Sequence, residues 1–305
     1  MFLHHDKEVF KEIIVETGNH LGIKSVIIEK DYYVTIALMI LNSKFNGIVF
    51  RGGTSLSKSY GIVDRFSEDI DISIDASKQE MTEGRKRKLK QAVVDTIHEM
   101  GLEVYNLSDT KSRRDYNQYT AKYNSIYSTI SSVKSELIFE TYVATAPYPY
   151  ELRKIDNYIF RFLKEMNYLD LALKYDLLPF EMKVQDVSRT YIDKVFALCD
   201  YYMNGMFEKH SRHIYDLYQI DMLILFDDEF RQLIKEVRKA RSNVSVCLSA
   251  KPGVYINKLL REIIESKCYK NDYLERTEKI LFTPISYDTA IRQLEKVIES
   301  GCFSE

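Results

Sequence analysis

The chain has 305 residues, 43 basic and 45 acidic side chains, a formal charge of -2 and 45% hydrophobic residues. That balance supports a packed core and excludes wholesale disorder, a collagen-like chain and a coat protein basic throughout. Length suggests two domains at roughly 100 to 200 residues each.

Apolar positions recur at helical spacing in Glu8 to Val15 and Ile27 to Leu41, so the chain opens with two helices. The longest aliphatic run, Ile36 to Leu41, is far shorter than the ~20 residues that cross a bilayer. His4, His5, Asp6, Lys7 and Glu8 interrupt any secretory leader. The expectation is a cytoplasmic protein that does not engage a membrane. Ile48, Val49 and Phe50 form a strand ending at Gly52 and Gly53, and Thr54 or Ser55 is placed to cap a helix running towards Tyr60. Asp69 to Ile74 alternates polar and apolar residues, a strand signature. Gln79 to Met100 reads as a helix with Arg85, Lys86, Arg87, Lys88 and Lys90 near its start, closed by Gly101. Leu102 to Leu107, Tyr116 to Tyr123 and Val133 to Val143 are strand candidates, with a turn around Ser108 to Arg114. Pro147 and Pro149 close this region. Thereafter the pattern is helical: Thr190 to Met203, Arg212 to Phe226, Phe230 to Ala240, Ile256 to Ser266 and Tyr287 to Ser300. The expected fold is α/β, a mixed sheet with flanking helices over 1–165 followed by a mainly helical domain over 166–305 that completes the active site. Cys199, Cys247, Cys268 and Cys302 are too far apart for a zinc knuckle or redox pair and read as reduced thiols. His210 and His213 share a helix face but do not make a metal site by themselves.

Glycine is scarce, 11 residues of 305, so the adjacent pair Gly52-Gly53 is informative. Glycines at a strand-to-helix turn let backbone amides approach an anion closely, and phosphate is the natural ligand. The same residues also suit an ordinary turn and cap. Asp69 and Asp71 are two apart on a strand, so their carboxylates point to one face. At ~5 Å two such charges repel by roughly 3 kcal/mol at an effective dielectric near 20, and a divalent cation reverses that sign. Paired hard oxygens suit Mg2+, which takes further ligands from nucleotide phosphates. The competing reading is a charged edge strand that blocks aggregation.

A strand, a Gly-Gly turn, a short helix and an Asp-x-Asp strand together resemble the nucleotidyltransferases of the DNA polymerase beta superfamily, in which a third acidic residue on a neighbouring strand completes the site. Glu140 is the candidate and Glu136 the runner-up; both lie on one face of Val133 to Val143. A closer resemblance is carried by Lys30-Asp31-Tyr32-Tyr33-Val34-Thr35, Phe50-Arg51-Gly52-Gly53-Thr54-Ser55-Leu56-Ser57-Lys58, Arg65-Phe66-Ser67-Glu68-Asp69-Ile70-Asp71, Arg189-Thr190-Tyr191-Ile192-Asp193-Lys194 and Arg212-His213-Ile214-Tyr215-Asp216-Leu217. In this order they resemble the AbiEii family of abortive-infection toxins, from about residue 25 to about 220.

The resemblance implies a nucleotidyltransferase toxin of the type IV toxin-antitoxin kind, acting in phage defence. It implies a genetic pairing with an AbiEi-like antitoxin that needs no direct contact. It further implies a nucleoside triphosphate substrate, Mg2+ or Mn2+, and an acceptor hydroxyl such as that of a tRNA 3′ end. Carried over by position, Asp69 and Asp71 hold the metal and Glu140 completes it. Gly52, Gly53, Thr54, Ser55 and Lys58 surround the triphosphate, Lys194 neutralises phosphate charge, and Asp216 acts from the carboxyl-terminal half. Lys194 lies among Val195, Phe196 and Leu198 and requires an anion if buried; Asp216 is placed to meet Lys194 or Arg212. Lys30 and Asp31 read as packing and surface charge. For an RNA acceptor, positive charge is expected at Arg85 to Lys90, Arg189 and Lys194, and Tyr116, Tyr119, Tyr123 and Tyr127 offer stacking or strand packing. The alternatives are a catalytically inactive nucleotide-binding regulator and a protein-modifying nucleotidyltransferase.

Overall fold

A computed structural model describes residues 1–67, 69–75, 81–111, 114–127 and 133–304. They form two compact units: Met1–Ser59 with Ser67–Val184, and Tyr60–Phe66 with Gln185–Glu305.

The first unit is built on a mixed six-stranded sheet in the order β3-β4-β2-β1-β6-β5. Its strands are β1 (Ile48–Arg51), β2 (Asp69–Ile74), β3 (Tyr116–Lys122), β4 (Glu136–Tyr142), β5 (Tyr150–Ile155) and β6 (Phe180–Gln185). β2 runs antiparallel to β1 and parallel to β4, and β6 runs parallel to β1. Period-two alternation divides the faces. Ile70, Ile72, Leu137 and Phe139 are fully buried on one side, while Asp69, Asp71, Ile138 and Glu140 are half-buried on the other. The helices are α1 (Lys7–Leu21), α2 (Ser25–Lys44), α3 (Gly52–Ser55), α4 (Glu83–Glu99), α5 (Tyr158–Glu165) and α6 (Leu169–Lys174). α2 packs against α1, α4 and α5 and is buried nearly all round, as a helix at the centre of a core must be.

Several sequence expectations change. Leu102 to Leu107 is not a strand; among the described residues it contributes one bridge, Val104 to Ala121, and its Tyr105 and Leu107 are exposed. The sheet instead continues past Pro149 through β5 and β6. Arg212 to Phe226 is α-helical only to Ile220, with a 3-10 turn over Asp221–Leu223, and Tyr287 to Ser300 is two helices, Tyr287–Ala290 and Arg292–Glu299. Gln79 and Glu80 of the expected fourth helix, and Glu68 of the motif before Asp69, lie outside the described residues.

The second unit is helical, with α7 (Val187–Met203), α8 (Arg212–Ile220), α9 (Asp228–Ser242) and α10 (Ile256–Ser266). α7 packs against α8, α9 and α10 and carries charged residues into the core. Arg241 bridges Asp193 and Asp200 at 3.3 and 2.7 Å, and Arg189 meets Asp193 at 3.1 Å. Buried charges are retained in this way when each has an opposite partner. The segment Tyr60–Phe66 is tied in by main-chain hydrogen bonds, Phe66 N to Ile280 O and Phe282 N to Asp64 O.

Candidate active site

On β2 the alternation Asp69-Ile70-Asp71 puts both carboxylates on the half-solvated face. Register then aligns four strands in one row: Arg51 on β1 opposite Asp71, Asp71 beside Glu140 on β4, and Glu140 opposite Gln118 on β3. Glu140 Oε1 accepts hydrogen bonds from the Tyr116 hydroxyl at 3.1 Å and the Gln118 amide at 3.0 Å. Burial first, then the negative charges of Glu140, Asp71 and Asp69, push the Tyr116 phenol well above its ordinary range. Glu136 is elsewhere, opposite Lys122 and charge-coupled to Tyr105. The structure therefore brings Glu140, and not Glu136, beside Asp71.

Gly52 begins α3 with φ of +79°, and a Cβ there would stand 1.9 Å from Asp71 Oδ2. Only glycine permits both this backbone and this approach. The helix starts at Gly52 with Arg51 in the cap position, ahead of the expected Thr54 or Ser55 cap. The Ser55 hydroxyl is buried and donates back to the Gly52 carbonyl at 2.8 Å, and Thr54 meets the Ser67 hydroxyl at 2.8 Å. Gly53 is half-buried in the same turn.

Lys58 is placed away from that turn. Its buried ammonium pairs with Asp31 and donates to the Asp156 carbonyl at 3.3 Å. The other Asp31 oxygen accepts from Tyr158 N at 3.0 Å at the start of α5. Asp31 is thus an anchor rather than surface charge, and Lys30 is buried with its ammonium on the carbonyls of Lys134 and Glu136.

In the helical unit Asp216 is fully buried. Arg65 grips it with two hydrogen bonds, Nε to Oδ1 at 2.7 Å and Nη2 to Oδ2 at 2.8 Å, and Lys194 Nζ reaches Oδ2 at 2.6 Å. Burial works to raise the Asp216 carboxyl, but Arg65 and then Lys194 outweigh it and hold the group well below the carboxylate range. Burial lowers the Lys194 ammonium against the pull of Asp216. Two basic side chains thus share one carboxylate. His213 is kept neutral by burial and by the nearby charges of Lys194 and Arg212. Sequence reading missed the role of Arg65, whose partner lies 151 residues away.

The expected basic surface is narrower than anticipated. Arg189 and Lys194 are buried against aspartates. On α4, Lys86 pairs with Asp115 at 2.7 Å and Lys90 donates to the Thr110 carbonyl. Arg87 and Lys88 are exposed, and Arg85 and Lys88 line a cleft of about 980 Å³ with Lys44, Asn46 and Thr82. Of the tyrosines, Tyr119 and Tyr123 are core residues, whereas Tyr116 is 46% exposed beside Glu140.

The donor chemistry of Asp69, Asp71 and Glu140 fits a hard divalent cation, and the Gly52 turn accommodates the Asp71 carboxylate. Among the described residues, no group of three or more His, Cys, Asp or Glu is gathered closely enough to hold a metal ion.

Comparison with known proteins follows this geometry. A family model described as "Nucleotidyl transferase AbiEii toxin, Type IV TA system" matches residues 37–293. No curated protein matches. Among solved structures, MenT4, a nucleotidyltransferase toxin from Mycobacterium tuberculosis H37Rv, is similar with a TM-score of 0.57 and 17% identity, over 94% of this chain and 88% of that one. At such identity the likeness concerns the fold. The family match spans most of the chain and agrees with the resemblance carried by the motifs: this chain belongs to the AbiEii family of nucleotidyltransferase toxins of type IV toxin-antitoxin systems.

Proposed function

We propose that the chain transfers a nucleotide from a nucleoside triphosphate to an acceptor hydroxyl of RNA, such as a tRNA 3′ end. The acceptor oxygen attacks the α-phosphorus in line, the bond to the β-phosphate oxygen breaks, and pyrophosphate leaves. The observation that carries this reading is the placement of Asp69 and Asp71 on one strand face, with Glu140 in register beside Asp71 and the Gly52 turn against it.

Asp69 and Asp71 would hold Mg2+ or Mn2+ together with triphosphate oxygens, with Glu140 in register beside Asp71; such an ion would stabilise charge on the attacking and leaving oxygens. Glu140 is positioned by Tyr116 and Gln118 and is a candidate acceptor for the hydroxyl proton. The turn Gly52, Gly53, Thr54 and Ser55 binds phosphate through main-chain amides, since the Ser55 hydroxyl is committed to Gly52. Lys194 is assigned as the phosphate-neutralising ammonium, oriented by its pair with Asp216 at 2.6 Å. Lys58 is committed to Asp31 and the Asp156 carbonyl rather than to the turn.

Family membership implies an antitoxin; we assign it as an AbiEi-like repressor that acts without required contact, in the cytoplasm and in phage defence. No helix among the described residues is long and apolar enough to cross a membrane.

The test is incubation of the purified protein with each labelled triphosphate plus total RNA, and separately plus lysate protein. Label on RNA that is absent with folded Asp69→Asn/Asp71→Asn protein is the expected result. Label retained by that double variant overturns the site. Label on protein only redirects the acceptor, and triphosphate binding without any transfer marks an inactive regulator.

A further inference from the structure

The phosphate charge delivered to the Asp69–Asp71 face requires a cation there, and the lysine placed closest in sequence does not supply it. Lys58 is buried against Asp31. Lys183, on β6 beside Val49, is held by Asp75 at 2.6 Å and by the Tyr150 hydroxyl at 3.0 Å.

Arg51 is differently placed. It immediately precedes Gly52, its register partner is Asp71, and it is half-buried. Its guanidinium carbon lies 5.4 Å from the centre of the Tyr142 ring. Tyr142 belongs to β4, and β2 lies between β1 and β4. Tyr142 is two residues beyond Glu140 and therefore shares its face. To reach that ring the Arg51 side chain must cross β2 on the face that carries Asp69 and Asp71. Ser73 on the same face of β2 is fully buried, as expected beneath a side chain laid over the strand. The ring fixes the guanidinium plane by a cation–π contact, and a planar fork matches phosphate oxygens two at a time.

We propose that Arg51 is a triphosphate-binding residue of this site, with the Tyr142 ring as the seat that orients it. This rests on the nucleotidyl-transfer reading above and adds a residue to it. The alternative role for Arg51 is neutralisation of Asp71 alone, which would make it indifferent to the phosphate chain length of the ligand.

Binding separates the two. Fluorescent ribose-labelled nucleoside triphosphates of all four bases, and the matching monophosphates and nucleosides, are titrated against the full chain by anisotropy, with EDTA and again with Mg2+. Arg51→Gln is expected to weaken triphosphate binding by at least about tenfold and to leave nucleoside binding unchanged. Arg51→Lys should recover part of the loss, and Tyr142→Leu should weaken triphosphate binding about threefold. A folded Arg51→Gln protein that binds triphosphate as tightly as wild type overturns the proposal. If Arg51→Gln does not fold, unchanged triphosphate affinity in both Arg51→Lys and Tyr142→Leu overturns it equally. Wild-type protein that binds triphosphates but labels no acceptor removes the transfer reading and leaves the Arg51 result standing, whereas wild-type protein that binds no triphosphate removes both.

Discussion

Asp71 and Asp216 are the same residue type in opposite settings. Asp71 sits on a strand face that is half open, in a row with Glu140, where like charges accumulate. Asp216 is fully enclosed and gripped by Arg65 and Lys194. The first arrangement gathers like charge on a face that a ligand can reach; the second is satisfied within the fold. A carboxylate kept in the first condition serves a ligand, and one in the second serves the scaffold and the cation it orients.

The sharpest way to break this contrast is to neutralise each in turn. Asp71→Asn or Asp69→Asn should reduce nucleotide transfer by at least about 10²- to 10³-fold, the scale seen when a charge-stabilising group is removed. Stability by urea unfolding should stay within about 0.5 kcal/mol of wild type, as for surface substitutions. Asp216→Asn should instead cost about 3–5 kcal/mol, because it strands two buried cations. Arg65→Met should cost less than Asp216→Asn, since Lys194 still meets the carboxylate. Equal stability losses for Asp71→Asn and Asp216→Asn would erase the distinction.

What was legible in the sequence follows the same division. Asp69 and Asp71 were readable because period two is a local signal, and the Glu140 face was readable by the same alternation. The Gly52 turn stood out in a chain poor in glycine. Arg65 was not readable as the partner of Asp216, nor Asp31 as that of Lys58, because tertiary pairs separated by 151 and 27 residues leave no periodicity. β5 and β6 escaped for a different reason. Tyr150–Ile155 is an edge strand carrying Glu151, Arg153 and Lys154, and Phe180–Gln185 follows Pro179 with Glu181 and Lys183 at alternate positions. Polarity masks the pattern of the first, whereas the second does alternate with period two but lies directly after Pro179 in the stretch expected to be mainly helical, and it is its pairing with β1 that brings it into the sheet.

The Lys58–Asp31 pair sharpens the comparison inside the first unit, where it plays the scaffold part that Asp216 plays in the second. Lys58→Met should lower stability by about 1–3 kcal/mol, the cost of leaving one partner of a partly buried charge pair unmatched. Asp31→Asn should cost at least as much, because it also weakens the hydrogen bond to Tyr158 N. A double-mutant cycle in urea is the measurement, and the expected coupling is above ~0.5 kcal/mol. Zero coupling, or a triphosphate affinity that collapses with stability unchanged, would return Lys58 to the phosphate site.

The smallest effect concerns acid. His210 stacks on Tyr201 with ring centres 3.4 Å apart and planes 9° apart, and burial, helped by the charge of Arg212, lowers its pKa to about 4 from 6.5. The folded state therefore binds fewer protons than the unfolded chain between these values. The stability this group contributes is complete above pH 6.5 and is lost progressively as pH falls towards about 4. Asp216 remains ionised through that window because Arg65 and Lys194 hold it lower still. His210→Phe keeps an aromatic ring against Tyr201 and removes the proton uptake. Its urea stability should match wild type above pH 7 and exceed it by about 1 kcal/mol near pH 5, a value reduced for solvent screening at a half-buried site. His4, also lowered to about 4 by burial and by His5, and His213, lowered by burial and by Lys194, leave a residual acid slope of the same sign in the variant. Parallel stability curves for wild type and His210→Phe from pH 7 to pH 5 would show that proton uptake at His210 does not drive acid unfolding, and the acid sensitivity would then belong to the buried His213 and to His4.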